Sequence, residues 1–202
     1  KENMKAMLTI NFIWFLWAIV ILTFQNFLFW NPDNITAMEP TQAFNTAVSF
    51  MTNTNLQHYS GETGASYFSQ LIVFCFLQFV SAGTGIAAAA LLFKGLLNNS
   101  GSNLGNFYNL LLKSCTRILL PLAIVMSLIL LFNGTPMTFK GAEQVITLQG
   151  DTVNVARGPV AAMVAIKQIG TNGGGFFGTN STHPFENPNF ITNIVELVSI
   201  IL

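Results

Sequence analysis

Three long apolar stretches alternate with polar segments along this chain. Residues 8–30 contain no charged residue, and about 20 apolar residues are enough to span the hydrocarbon core of a bilayer as a helix. Lys1 and Lys5 precede this run and Trp30 closes it as an interfacial anchor. The run is too long for the apolar region of a secretory signal, and no small-x-small cleavage motif follows it. Residues 67–93 form a second uncharged run, closed by Lys94. Its Gln70, Gln78, Ser81, Gly83, Thr84 and Gly85 suit a helix packed among other helices. Residues 107–132 form a third. Its continuous apolar part, 118–132, is short for a full crossing, so Lys113 and Arg117 are expected to snorkel from its first turns. Pro121 is expected to kink it. A fourth helix is predicted from Phe190, with Glu196 near the interface.

Between these runs lie two shorter patterns that resemble each other. Residues 40–51 are helix-like, and twelve residues reach only about 18 Å, a length that suggests a re-entrant or interfacial segment. Pro40 suits a first helical turn, and Glu39 sits near its positive end. Thr52-Asn53-Thr54-Asn55 follows, a run of poor helix formers. After the third apolar run, Pro159 opens a second short helix reaching Ile169, followed by Gly170-Thr171-Asn172-Gly173-Gly174-Gly175-Phe176-Phe177. Pro40 stands twelve residues before Thr52, and Pro159 twelve before Thr171; each threonine is followed by asparagine. The unit predicted is membrane helix, short re-entrant helix, extended polar tract, membrane helix. It is present once in full and once with its last helix cut short.

Such a tract has a definite chemistry. A cation stripped of water needs oxygen ligands, and an extended backbone turned toward an axis supplies carbonyls. Glycine permits unusual dihedrals and keeps the path narrow. Irregular backbone at membrane depth is tolerated where it lines a cavity or is buried in protein. The short helices would also point their negative ends at the ion. A flexible linker fits the three glycines less well, because an apolar helix and two phenylalanines flank them closely. A phosphate-binding loop would need its glycines to open a helix and a Lys-Ser/Thr pair to follow.

Composition agrees with a membrane setting. Of the 202 residues, 51% are hydrophobic and only 8% charged, against about 25% charged in soluble domains. The formal net charge is zero, which gives no electrostatic footprint for nucleic acid. Lys1, Lys5, Lys94, Lys113 and Arg117 fall on one side of the predicted topology, while residues 31–66 carry no Lys or Arg; the first side is therefore assigned to the cytoplasm. Residues 133–189 are then external, despite Lys140, Arg157 and Lys167. Of the sequons at Asn34, Asn98, Asn133 and Asn180, Asn98 falls on the cytoplasmic side and is read as accidental. Cys75 and Cys115, far apart and without a C-x-x-C, are read as buried thiols. His58 and His183 lack partners at ligand spacing and are placed at the mouth of the tract. Glu62 and Glu186 would draw cations there. Lys167 must reach water or a partner. The abrupt ends, Lys1-Glu2-Asn3 and the apolar run through Leu202, suggest an internal piece of a longer protein.

The stretches FNTAVSFMTNTNLQHYSGETGASYFSQ and IKQIGTNGGGFFGTNSTHPFENPNFITN closely resemble the potassium-binding A subunits of Kdp-type potassium-transporting ATPases. The resemblance covers the whole chain. It implies an all-α integral membrane fold of repeated membrane helix–pore loop–membrane helix units, potassium-channel-like. Residues 1–106 would hold the first repeat with a cytoplasmic linker, and 107–202 a second, truncated in its last helix. It implies that Thr52, Asn53, Thr54 and Asn55 form one filter loop, with Gln57 at a potassium-affinity position. Gly170, Thr171, Asn172, Gly173, Gly174 and Gly175 would form another, with Asn180 nearby. The transported ion would be K+. The implied partners are a P-type ATPase subunit, a further small subunit and a single-helix subunit of the same pump, in a bacterial plasma membrane. The present subunit itself would be non-catalytic, since nothing in it binds ATP. From the residues alone, a passive or ion-gradient-driven potassium transporter with the same repeats remains equally open; the HPFENP block favours the pump. A membrane enzyme would need carboxylates within the spans, and the three full runs have none.

Overall fold

A computed structural model describes residues 1–97 and 104–201; Asn98 lies outside them. Three helices are long and apolar enough to cross a bilayer: α1 (Glu2–Thr23), α3 (Ser69–Leu97) and α4 (Phe107–Phe132). Two short helices precede the polar tracts, α2 (Pro40–Met51) and α5 (Val160–Ile169), and α6 (Phe190–Ile201) follows the second. The fold is that of an all-α integral membrane protein.

Burial separates the roles of the long helices. Of the most apolar part of α3, 56% is buried, against 11% for α1 and 22% for α4. The helix carrying small and polar residues is thus the central one. Leu8, Phe12, Val20, Ile124, Val125 and Leu128 leave α1 and α4 with exposed apolar surface, which lipid can cover. A core joins all these elements: Ala18 and Leu22 of α1, Ala43, Ala47 and Phe50 of α2, Val73, Phe74 and Leu77 of α3, Met126 and Leu130 of α4, Val160, Ala161 and Val164 of α5, and Phe176 and Phe177. Phe50 stacks on Phe74 with ring centres 4.4 Å apart. A methyl on Gly83 would lie 2.4 Å from the Cys115 sulfur, so α3 and α4 approach closely only because that side chain is missing. Both cysteines are free and half-buried, less enclosed than the sequence suggested.

Two helix boundaries move. α1 begins at Glu2 and stops at Thr23, short of Trp30. The cause is Gln25, which is wholly buried. Its amide donates to the Thr36 and Gly64 carbonyls (2.8 and 3.0 Å) and accepts the Ser66 N–H (3.1 Å), drawing the chain out of the helix. Trp30, at φ 59°, joins Phe29, Phe68 and Phe139 in a ring cluster. In α4, Pro121 cannot donate an N–H to the turn before it, and a π-helical turn over Ser114–Leu119 precedes it. A second π turn, Ser69–Cys75, opens α3. Such widened turns accommodate a break in the regular ladder.

The ends of the bundle are tied differently. Asn3 at the start of α1 donates to the Gly105 carbonyl and accepts the Phe107 N–H, both at 3.0 Å, so Lys1, Lys5 and Lys94 share one end. At the other, the Tyr67 hydroxyl reaches the carbonyls of Arg157 and Lys140 and the Asp33 carboxylate. There the chain forms an unanticipated antiparallel hairpin, β1 (Glu143–Ile146) with β2 (Thr152–Val155), in register Glu143↔Val155.

Candidate functional site

The two short helices end side by side. Glu39 caps α2, its carboxylate accepting the Gln42 N–H at 3.0 Å and the Thr41 hydroxyl. These contacts hold the Glu39 carboxyl below its usual pKa, the Thr41 hydroxyl contributing most. At the C-terminus of α2, the Asn53 N–H returns to the Phe50 carbonyl, and those of Thr54 and Asn55 to the Ser49 carbonyl. At the end of α5, the Thr171 N–H returns to Gln168 and that of Asn172 to Lys167. Both are the same closing turn, in which one residue adopts the left-handed conformation. That residue is Asn53 (φ 61°) in one and Thr171 (φ 51°) in the other. The turns therefore pair Asn53 with Thr171 and Thr52 with Gly170, one residue away from the register given by the proline spacing. The prolines are not equivalent: Pro40 lies inside α2, whereas Pro159 precedes α5.

Hydrogen bonds then lock the tracts to each other and to α3. The Asn53 amide donates to the Gly170 carbonyl (3.3 Å) and accepts the Ser81 hydroxyl (2.8 Å). The Asn55 amide donates to the Asn172 side-chain oxygen at 2.7 Å. Gln78, buried in α3, donates to the Gly174 carbonyl at 3.0 Å. The Gly175 N–H donates to Gln57 at 3.2 Å. Gln57 thus bridges from the first tract to the second. Gln78 and Ser81 were legible only as polar residues in a span; their partners were not.

The glycines do not supply unusual dihedrals. None of Gly170, Gly173, Gly174 and Gly175 has a positive φ; in these tracts that conformation falls to Asn53, Asn55 and Thr171, and further on to Asn180. Three of the glycines are needed for close approach. A methyl would meet the Asn172 amide nitrogen at 2.3 Å from Gly170, the Phe50 ring at 2.5 Å from Gly174, and the Asn180 side-chain oxygen at 2.2 Å from Gly175. Gly173 differs: a methyl there would lie 3.5 Å from the Thr54 carbonyl oxygen and 3.8 Å from that of Asn55. Among the described residues neither carbonyl accepts a hydrogen bond. Thr52, Thr54, Thr171 and Gly173 are exposed along the same tracts. On one flank lies a cleft of about 580 Å³ bordered by Asn11, Thr52, Asn53, Thr84 and Thr171. On the other lies one of about 470 Å³ bordered by Lys167, Asn172, Gly173, Asn180 and Glu196.

Charged residues behind the second tract sit otherwise than their sequence positions suggested. Glu186 is fully buried and pairs with Lys167, so it is not an exposed charge. Its other oxygen accepts the Phe177 N–H at 3.0 Å. Glu196 is buried too, 3% exposed, and accepts the Gln168 amide at 2.6 Å. Glu62 accepts the Gly178 N–H at 2.9 Å. His58 is exposed. His183 stacks flat on Phe177, centroids 3.6 Å apart, and its Nδ1 accepts the Phe185 N–H. Burial against that ring lowers its pKa, opposed by the Glu186 and Glu62 charges. No group of three or more His, Cys, Asp or Glu able to hold a metal occurs among the described residues.

A family model described as potassium-transporting ATPase A subunit matches residues 1–202. Curated relatives named potassium-transporting ATPase potassium-binding subunit include one from Flavobacterium psychrophilum, 60% identical over 98% of this chain. Those from Bacteroides fragilis and Alicyclobacillus acidocaldarius are 52% and 50% identical over 100% and 98% of it. The chain spans 34–36% of the length of these relatives.

Proposed function

We propose, for a chain that belongs to the potassium-transporting ATPase A subunit family, that it selects K+ for an ATP-driven uptake pump in a bacterial plasma membrane. Its two polar tracts, Thr52–Asn55 and Gly170–Gly175, then serve as two loops of a potassium filter. Residues 1–106 and 107–202 are the corresponding repeats.

One observation carries this assignment. Two short helices end side by side within a membrane fold, and their tracts bring the unpaired carbonyls of Thr54 and Asn55 against Gly173, which has no side chain. A weakly hydrated cation is held by several such oxygens at once. The negative ends of α2 and α5 add favourable potential at the same place. Asn53, Asn55, Asn172 and Gln78 act as struts: they consume the Gly170 and Gly174 carbonyls and fix the tracts, leaving Thr54 and Asn55 for the ion. Gln57 holds Gly175, and Asn180 packs against it. The further loops needed to surround an ion come from the rest of the protein. The ion is handed to a P-type ATPase subunit, with a small subunit and a single-helix subunit completing the complex; this chain performs no chemistry.

The test is ATP hydrolysis by the intact complex, purified through the full-length form of this chain, in potassium and in sodium. Potassium-stimulated hydrolysis is the expected result. Potassium-selective flux with no ATPase would replace the pump with a passive or gradient-driven transporter and leave the loop assignment standing.

A further inference from the structure

Lys167 and Glu186 are buried behind the second tract, at 4% and 0% side-chain exposure, and they contact each other directly. Burying two charges is costly, and a well-packed apolar pair is often no less stable. Stability alone therefore gives little reason for an ion pair here.

Its connections give a better one. Lys167 lies in the last turn of α5, and its carbonyl accepts the Asn172 N–H at 2.9 Å, the bond that turns the chain into the tract. Glu186 lies 19 residues further on, where the chain returns. One oxygen meets Lys167, while the other accepts the Phe177 N–H at the tract's far end. The pair thus closes a ring around residues 172–177, with Gly173 in its span. Ser181 accepts from Lys167 at 2.8 Å and from Gln168 at 2.9 Å, which fixes the ammonium from a second direction. A methyl on Gly175 would lie 2.8 Å from Glu186 Oε1, so the carboxylate is packed against the tract itself.

We propose that the Lys167–Glu186 ion pair is a positioning element that sets the ion preference of the second tract by fixing Gly173 against the Thr54 and Asn55 carbonyls. This rests on those carbonyls being potassium ligands. An ion-binding site distinguishes cations of the same charge by holding its oxygens at one spacing, and a charge-assisted brace resists displacement better than neutral contacts do.

The experiment compares the intact complex carrying the parent chain with Lys167→Arg, Glu186→Gln and the neutral pair Lys167→Met/Glu186→Gln. Apparent affinities for K+, Rb+ and Na+ are read from stimulated ATP hydrolysis, beside the thermal midpoint. The neutral pair removes both charges of the bridge, and the Glu196 carboxylate nearby keeps its hydrogen bond from Gln168, so the variant is expected to assemble with a midpoint closer to the parent's than either single neutral substitution. Its K+ over Na+ preference is expected to fall on the order of tenfold, a typical coupling between contacting groups, with turnover at saturating potassium falling less than affinity. Lys167→Arg keeps the charge and is expected to retain most of the preference. A neutral pair with the parent's preference overturns the proposal, as does one that fails to assemble, since the pair would then serve folding alone. A parent complex that itself fails to discriminate K+ from Na+ sinks the potassium-ligand assignment instead.

Discussion

Gly173→Ala and Gly174→Ala change adjacent residues by the same methyl, yet the structure separates their effects. At Gly173 the nearest atoms to the new methyl are the Thr54 and Asn55 carbonyl oxygens at 3.5 and 3.8 Å, ordinary contact distances. The backbone there is not left-handed, so alanine is accommodated and gains about 0.4–1 kcal/mol by restricting the unfolded chain. At Gly174 the methyl would lie 2.5 Å from Phe50 Cζ. Phe50 is fully buried and stacked on Phe74, so it cannot move aside freely, and overpacking of this kind costs about 1–3 kcal/mol. Function should divide the other way. On the proposed assignment, the Gly173 methyl would sit against the two carbonyls that hold the ion. Weakening charge-assisted contacts worth about 1.5–3 kcal/mol predicts roughly a tenfold or greater rise in the potassium concentration for half-maximal ATP hydrolysis. The assay is that titration on the purified complex, with thermal unfolding in parallel. Gly173→Ala should keep its midpoint and lose affinity; Gly174→Ala should lose midpoint first. An unchanged potassium titration for Gly173→Ala would refute the placement of the ion at Thr54 and Asn55.

Three further outcomes are expected. Thr171→Gly removes a β-branched residue from φ 51°, a conformation costing about 1–2 kcal/mol for a side-chain-bearing residue, so the thermal midpoint should rise; a fall would show that the threonine side chain outweighs the strain. Gln57→Arg removes the acceptor of the Gly175 N–H and places a fixed cation beside the proposed filter loops, so apparent potassium affinity should drop, checked by the same titration. His183 titrates below its ordinary value of 6.5, so the folded state prefers the neutral ring. Its contribution is therefore complete above pH 6.5 and is lost as pH falls through the lower folded value. The midpoint should decline over that interval, and His183→Phe should flatten the decline; equal slopes would exclude His183 as the source.

The membrane class was readable because lipid removes the need for charge, leaving uncharged runs whose length matches a bilayer. The limits of α4 were readable although Lys113 and Arg117 interrupt its run, and the start of α2 was marked by Pro40 and Glu39. The end of α1 did not, because it is set by Gln25 bonding to residues far along the chain, and a single glutamine beside an apolar run carries no sign of that. The relation between the tracts was legible as repetition but not in register, since the turn geometry follows the last helical carbonyls and not the opening prolines. Glycine richness was visible, but its cause was not: Phe50, Asn172 and Asn180 press on three of the four glycines, and those contacts exist only in the folded chain. Lys167 announced that it needed a partner. Glu186, read as a surface charge at the mouth, was that partner, and nothing in the spacing of 19 residues marks it. The hairpin at residues 143–155 is too short and too exposed to stand out as a strand pattern.

The bonds from Asn53 to Gly170 and from Asn55 to Asn172 each join residues 117 positions apart. In time, that separation is a delay. A ribosome adding about 5–20 residues per second delivers the second partner roughly 6–23 s after the first. Through that interval the Asn53 and Asn55 amides have no mates in the later tract, and leaving them bare in hydrocarbon would cost several kcal/mol each. The first tract must therefore wait at the water-facing surface or in the insertion machinery, and it seats only when the second arrives. The two tracts are assembled as one object, and a truncation between them removes the geometry of both.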